Sequence, residues 1–326
     1  MTNHSNGTVG VIGLGFMGCS IVTALLIKGQ DVVAIGPLPK DLELAPAEIE
    51  KALRNCKEKG FTTSQPKDHM HHVRITSDYA ELETCSIVIE TVIEDLAIKK
   101  SVLEKVEQVV ADDAIITSNT SAIPISTLQK FLDKPHRFYG MHWAEPAYAS
   151  RFLEIISGSE SSKLLVEKVR QIAEKWGKEP TLVRKDIRGF ITNRIMYAMY
   201  REAFYLVENG YATIEDVDSA CKNDGGTWMS FCGLFRYMDL TGLQAYHAVM
   251  KDLLPTLSNQ TEVPKLISDI AEKGGNGTSN GQGFYSYTED EAQAWDEAFT
   301  AFSLDLFKLT ERYTDIHQLK QDKKDE

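Results

Sequence analysis

The chain has 326 residues, 43% of them hydrophobic and 25% charged, a globular composition long enough for about two domains with a core each. A formal net charge of −12 leaves no basic field to attract phosphates, which argues against a nucleic-acid partner. No run reaches the ~18 continuous apolar residues that a bilayer crossing needs, so no membrane partner is expected either.

The opening stretch "MTNHSNGTVGVIGLG" lacks a basic, apolar targeting region and runs almost directly into a strand. The five cysteines (Cys19, Cys56, Cys85, Cys221, Cys232) are scattered, odd in number and free of CxxC spacing. Reduced thiols in a cytoplasmic protein are the simplest account.

In "TVGVIGLGFMGCSIVTALLIKG", Thr8 to Gly29, an apolar run breaks at glycines and resumes with helical periodicity. Gly13, Gly15 and Gly18 form G-x-G-x-x-G between that strand and that helix, where a dinucleotide-binding turn belongs. The first glycine serves the tight turn, the second the approach of a pyrophosphate, and the third close helix–strand packing. Free N–H groups at the helix start would hold the phosphates, so Phe16 and Met17 inside the motif join the cofactor set. A second strand follows at "DVVAI", Asp31 to Ile35. The acidic residue expected at its end, for the ribose 2′-hydroxyl, falls on Gly36. NAD is expected as cofactor; without that carboxylate, and with Lys40 nearby, NADP stays open.

The histidines of "DHMHH", Asp68 to His72, are expected on a surface loop, and no metal site is expected there or elsewhere. Further strands are predicted at Ser86–Glu90, Ala114–Ser118, Arg137–His142 and Phe152–Ile156, with helices at Leu96–Val110 and Ser161–Trp176. Alternation in this order predicts a doubly wound, mostly parallel α/β sheet of the Rossmann type. Strand signals stop after "TLVRKDIRG", and helical patterns run from Phe190 to about Lys273. The expected division is a dinucleotide-binding domain over 1–186 and an all-α domain over 187–326. The latter ends in a glycine-rich loop, a terminal amphipathic helix and a charged tail.

"GMHWAEPAYASRFLEII", Gly140 to Ile156, sets His142, Glu145 and Glu154 among apolar neighbours. Burying such groups costs several kcal/mol unless they are paired. If the flanking strands are neighbours, His142 and Glu154 meet across them. A hydrogen-bonded core histidine is the bland alternative.

Four stretches, "GLGFMG", "SNTSAIPIS", "GMHWAEPAYASRFLEII" and "GFITNR", resemble in order and spacing the L-3-hydroxyacyl-CoA dehydrogenase family over most of residues 8 to 287. The resemblance implies a Rossmann domain, a helical domain that dimerises, and reversible NAD-linked oxidation of a 3-hydroxyl group, with a 3-hydroxyacyl-CoA as first-choice substrate. It also implies site roles. His142 matches the catalytic histidine, Glu154 its partner, Ser121 the serine contacting the substrate hydroxyl, and Asn193 an asparagine completing the site from the second domain. Glu94, Lys99 and Asn119 match positions lining the nicotinamide side. The chemistry is sound on its own terms: alcohol oxidation needs a base, free imidazole titrates near ~6.5, and a carboxylate on the other ring nitrogen fixes its tautomer. "GLGFMG" also resembles the β-hydroxyacid dehydrogenases, but Asn193 stands where that family has a catalytic lysine.

Three departures from the family pattern bear on the substrate. "HWAEP" puts Ala144 and Glu145 where an aromatic and an amide are usual. "DGGTWMSFCGLFRYMDLTG", Asp224 to Gly242, looks closer to the gulonate and carnitine dehydrogenase branch, with at least half of Trp228, Phe231, Phe235 and Tyr237 expected in the core. The segment from Pro37 to Asp68 is shorter than the CoA-binding helical hairpin of many relatives. A dehydrogenase of a free 3-hydroxy acid is therefore an alternative, and a non-catalytic dinucleotide sensor is the rival from another class.

Overall fold

In the computed structural model, which describes residues 7–313, the first four elements are β1 (Thr8–Ile12), α1 (Phe16–Leu26), β2 (Val32–Ile35) and α2 (Pro39–Glu58). There follow α3 (Pro66–Met70), β3 (Val73–Thr76), β4 (Cys85–Glu90), α4 (Leu96–Val109), β5 (Ile115–Ser118) and α5 (Ile125–Leu128). The run closes with β6 (Phe138–Trp143), β7 (Phe152–Ser157), α6 (Leu165–Lys175) and β8 (Glu179–Val183).

The eight strands form one sheet in the order β3-β2-β1-β4-β5-β6-β7-β8. Every neighbouring pair is parallel except β6 and β7, which run antiparallel. The chain winds outward from β1 to β3 and then restarts beside β1 with β4. That reversal is the switch point of a doubly wound sheet, outside which ligands bind at the carboxyl ends of the strands. Alternate side chains serve opposite faces. Val9, Val11, Ile87 and Ile89 pack in one cluster with Leu25, Ile49 and Leu53. Ile12, Val88, Ile116 and Phe138 pack in the other with Leu103, Val106 and Leu128. With both faces covered, the strands must be apolar throughout, which is why they read as continuous hydrophobic runs.

Two strands escape the sequence pattern. β3, "VRIT", and β8, "EPTLV", are edge strands whose alternation is interrupted by Arg74, Glu179 and Pro180. A third correction concerns the histidines. "PKDHM" is a short helix rather than a loop, and His69 is buried with its Nε2 2.9 Å from Thr62 Oγ1. His72 Nδ1 lies 2.7 Å from Asp31.

Contacts divide the chain between Asn193 and Arg194. The second unit holds most of α7 (Thr192–Glu208), then α8 (Ile214–Ala220), α9 (Gly226–Thr241), α10 (Leu243–Leu253), α11 (Lys265–Glu272) and α12 (Glu289–Glu311). α9 is broken at Gly233, whose φ of 72° only glycine adopts without strain. The aromatic residues of this segment depart from expectation. Phe231 and Phe235 are exposed, while Trp228 and Tyr237 stack half-buried on each other, ring centroids 4.4 Å apart. The expected terminal amphipathic helix is α12, with Trp295, Phe299, Phe302 and Leu309 exposed and Leu304 buried. The charged tail lies outside the described residues.

Candidate active site

The glycine motif forms the turn its sequence demands. Gly13 takes φ +93°, and a Cβ on Gly18 would stand 1.8 Å from Gly13 O, so no side chain fits at residue 18. Thr91, just beyond β4, locks the turn by donating to Gly13 O (2.7 Å) and Ile12 O (3.0 Å). Nothing lies within 4 Å of a Cβ built on Gly15, so the backbone is open to a ligand there. α1 begins at Phe16 with no side-chain cap and no acid in its first turn, which leaves its leading N–H groups and partial positive charge for an anion. This open cradle fits the pyrophosphate of a dinucleotide.

At the carboxyl end of β4, Glu90 is fully buried. It accepts hydrogen bonds from Lys99 Nζ (2.8 and 3.0 Å), Ser118 Oγ (2.6 Å) and Val92 N–H (2.6 Å). Lys99, itself 1% exposed, also donates to Val92 O and stands 3.4 Å from Glu94. Such a buried pair is a weak source of stability but a firm constraint on geometry. Glu94 in turn gathers the turn after β5. Its Oε1 accepts from Thr120 Oγ1 (2.5 Å) and from the N–H groups of Ser121 and Ala122 (3.0 Å each). Burial alone would raise the Glu94 carboxyl, yet these bonds and Lys99 hold it below the usual carboxylate range.

A second polar cluster lies on the antiparallel pair. β6 and β7 are paired so that His142 faces Glu154 directly, and His142 Nδ1 lies 2.8 Å from Glu154 Oε2. Glu154 is completely buried, and its other oxygen accepts from Ile191 N–H and Thr192 N–H, both at 3.0 Å. Burial pushes its carboxyl up, but the bonds from His142 and Thr192 outweigh that and leave it lowered. An ionised Glu154 on Nδ1 assigns the proton to that nitrogen and leaves Nε2 as the basic lone pair. Phe152 and Phe190 flank the imidazole at 5.7 and 5.6 Å between centroids. Phe190 is the one non-glycine residue at positive φ (53°) among the described residues, and the turn it makes with Gly189 aims two N–H groups at Glu154.

Two further residues join this cluster. Asn193 Nδ2 donates to Ser121 O at 3.0 Å, and Asn119 Oδ1 accepts from Trp143 N–H at 2.9 Å. Asn193, expected from the second domain, is the last residue of the first unit. The structure thus links Ser121 to Asn193, and Asn119 to the strand bearing His142. Gly36 stands apart at the end of β2, and Glu145 is exposed on the loop after β6.

Sequence reading overlooked the struts. Lys178 is buried, donates to Ala147 O and Ser150 O, and sits 4.9 Å over the Trp143 ring. Ser20 Oγ accepts from Ala147 N–H at 2.7 Å. Together they hold the loop joining the strands of His142 and Glu154. The signal for Glu90 was present: an acid ending the apolar run "SIVIE" must find a buried partner.

A dinucleotide cradle at the switch point, beside a histidine–carboxylate pair, defines a pyridine-nucleotide oxidoreductase. The comparisons agree. Residues 8–187 match the profile of the 3-hydroxyacyl-CoA dehydrogenase NAD-binding domain, and residues 189–287 match that of the 3-hydroxyacyl-CoA dehydrogenase C-terminal domain. The chain belongs to the 3-hydroxyacyl-CoA dehydrogenase family, NAD-dependent oxidoreductases acting on CH–OH groups.

Three relatives bracket it. It is 33% identical to a "Probable 3-hydroxybutyryl-CoA dehydrogenase" of Deinococcus radiodurans, over 85% of this chain and 99% of that one. A solved (S)-3-hydroxybutyryl-CoA dehydrogenase from Ralstonia eutropha is 28% identical, with a TM-score of 0.72 over 87% of this chain and 100% of that one. A solved 5-formyl-3-hydroxy-2-methylpyridine 4-carboxylic acid 5-dehydrogenase, described as an NAD+-dependent dismutase, is 29% identical. Its TM-score is 0.87, over 93% of this chain and 98% of that one.

Proposed function

We propose that this chain moves a hydride between NAD and the CH–OH or carbonyl carbon of a small substrate that carries no coenzyme A. The proton-transfer half of that reading rests on the His142–Glu154 pair. In the oxidative direction His142 Nε2 takes the hydroxyl proton, and Glu154 stabilises the imidazolium that forms. In reduction the same nitrogen returns the proton to the developing alkoxide. Ser121 and Asn193, joined through the Ser121 carbonyl, orient the reacting oxygen. NAD supplies or accepts the hydride when bound. Gly13, Gly15, Phe16, Met17 and Gly18 would hold its pyrophosphate, and Glu94, Lys99 and Asn119 would line the nicotinamide side.

The single observation behind a CoA-free substrate is the contrast in likeness. At almost equal identity, 29% and 28%, the chain superposes at 0.87 on a pyridine-carboxylate enzyme and at 0.72 on a CoA-thioester enzyme. A 3-hydroxyacyl-CoA remains the second reading, favoured by the 33% identity to the Deinococcus radiodurans relative. The test is NADH consumption with acetoacetyl-CoA, free 3-keto acids and carboxylated pyridine aldehydes. We expect kcat/KM for a CoA-free compound to exceed that for acetoacetyl-CoA by about 10²-fold. The reverse order overturns the proposal.

The second unit carries a further proposal, a homodimer formed through its helices. Leu304 is its single buried hydrophobic side chain among the described residues, while Tyr197, Phe235, Leu240 and Trp295 are at least 64% exposed. Apolar exposure on that scale is typical of an association surface. Sedimentation at micromolar concentration should give twice the chain mass.

A further inference from the structure

Dinucleotide-binding domains that select NAD place a carboxylate at the end of the second strand, where it bonds the ribose hydroxyls and repels a 2′-phosphate. Here that position is Gly36. Its N–H donates to Thr76 O at 2.9 Å, so the backbone is in register and only the side chain is missing. The space for one is taken. A Cβ on Gly36 would lie 2.9 Å from Leu42 Cδ2 and 3.0 Å from Asp41 Cβ, because the first turn of α2 folds over the strand end.

Asp41 is therefore the acid nearest the strand end, packed with Leu42 against the place where a side chain at residue 36 would begin. It is buried, at 9% exposure, while its neighbours Lys40 and Glu43 are exposed. Its carboxylate accepts one hydrogen bond, from Leu38 N–H to Oδ2 at 3.2 Å. An ionised carboxylate has room for about four, so the remaining sites can accept two O–H donors from a diol. Capping the first turn of α2 explains an aspartate at N3, but not why that aspartate displaces the side chain at the strand end.

We propose that Asp41 is the specificity-determining acid of the cofactor site, moved from the end of β2 to the first turn of α2. It accepts hydrogen bonds from the adenosine ribose hydroxyls and excludes a 2′-phosphate, so the protein selects NAD over NADP despite Gly36 and Lys40. The proposal concerns the dinucleotide alone and is independent of the substrate assigned above.

The test is equilibrium binding of NADH and NADPH to the full-length protein, followed by nicotinamide fluorescence and without substrate. The unaltered protein should prefer NADH by about 10²-fold, and Asp41→Asn, which keeps an acceptor for Leu38 N–H, should cut that ratio by at least about tenfold. Glu43→Gln removes an exposed charge from the same turn and should leave the ratio unchanged. If Asp41→Asn unfolds, Asp41→Gln keeps a neutral acceptor at N3 for the Leu38 N–H and is judged by the same ratio. A ratio that stays at its original value in a folded Asp41 variant overturns the proposal.

Discussion

The two halves of the sheet on either side of the switch point present different chemistry at their carboxyl ends. At the turn between β1 and α1 the surface is almost all backbone: Gly13, Gly15 and Gly18, with an uncapped helix start. From β4 to β7 it is dense with side chains, and Glu90, Lys99, Ser118, His142 and Glu154 are each buried with a partner at 3.0 Å or less. The glycine turn can be altered only by adding atoms, and the cluster from β4 to β7 by removing a proton, a charge or a donor. Substitutions should therefore separate cleanly, raising dinucleotide Kd on one side and lowering kcat on the other.

After removal of His142 itself, the largest effect is expected from Glu154→Gln. An amide donating to His142 Nδ1 reverses the tautomer and leaves Nε2 protonated, so kcat should fall by about 10³-fold with NADH affinity preserved. The same change has a pH signature. Because the folded Glu154 carboxyl is lowered from its usual 4.5, the stability it contributes is present above about pH 4.5. That contribution is lost as pH falls through the lower folded value. Acid unfolding followed by circular dichroism should lose that part of its slope in the variant.

On the other half, Gly18→Ala brings a methyl to within 1.8 Å of Gly13 O and must displace the turn. NADH Kd should rise at least about 30-fold, with kcat at saturating cofactor changed far less. Equal losses in kcat and affinity would erase the distinction between the halves. Asn193→Ala is the mildest. Removing the tie to Ser121 O loosens orientation rather than proton transfer, and kcat should fall about tenfold.

The contrast also explains what the sequence disclosed. The glycine turn was legible because its constraint is local: 13, 15 and 18 lie in one loop, and each spacing has one geometric meaning. The His142–Glu154 pair was legible at one remove, since antiparallel register places residues twelve apart opposite each other once β6 and β7 are neighbours. The family resemblance supplied Ser121 and Asn193, which no spacing rule connects. What stayed hidden was tertiary. Lys178 reaches back to Ala147 and Ser150, Glu90 spans to Lys99 and Ser118, and Leu42 and Asp41 crowd the strand end at Gly36. β3 and β8 were missed because edge strands tolerate Arg74, Glu179 and Pro180. The Asp224–Gly242 aromatics read as core because helical spacing alone does not show whether a face is covered.

If His142 moves the proton while the glycine turn only holds the dinucleotide, His142→Gln separates the two roles. NADH titration and turnover should be measured on the same preparation, with the best substrate from the panel. The NADH Kd should stay within about twofold of that of the unaltered protein while kcat falls by about 10²- to 10⁴-fold, on the order of a lost general base. Turnover retained at the original rate would contradict that role for His142.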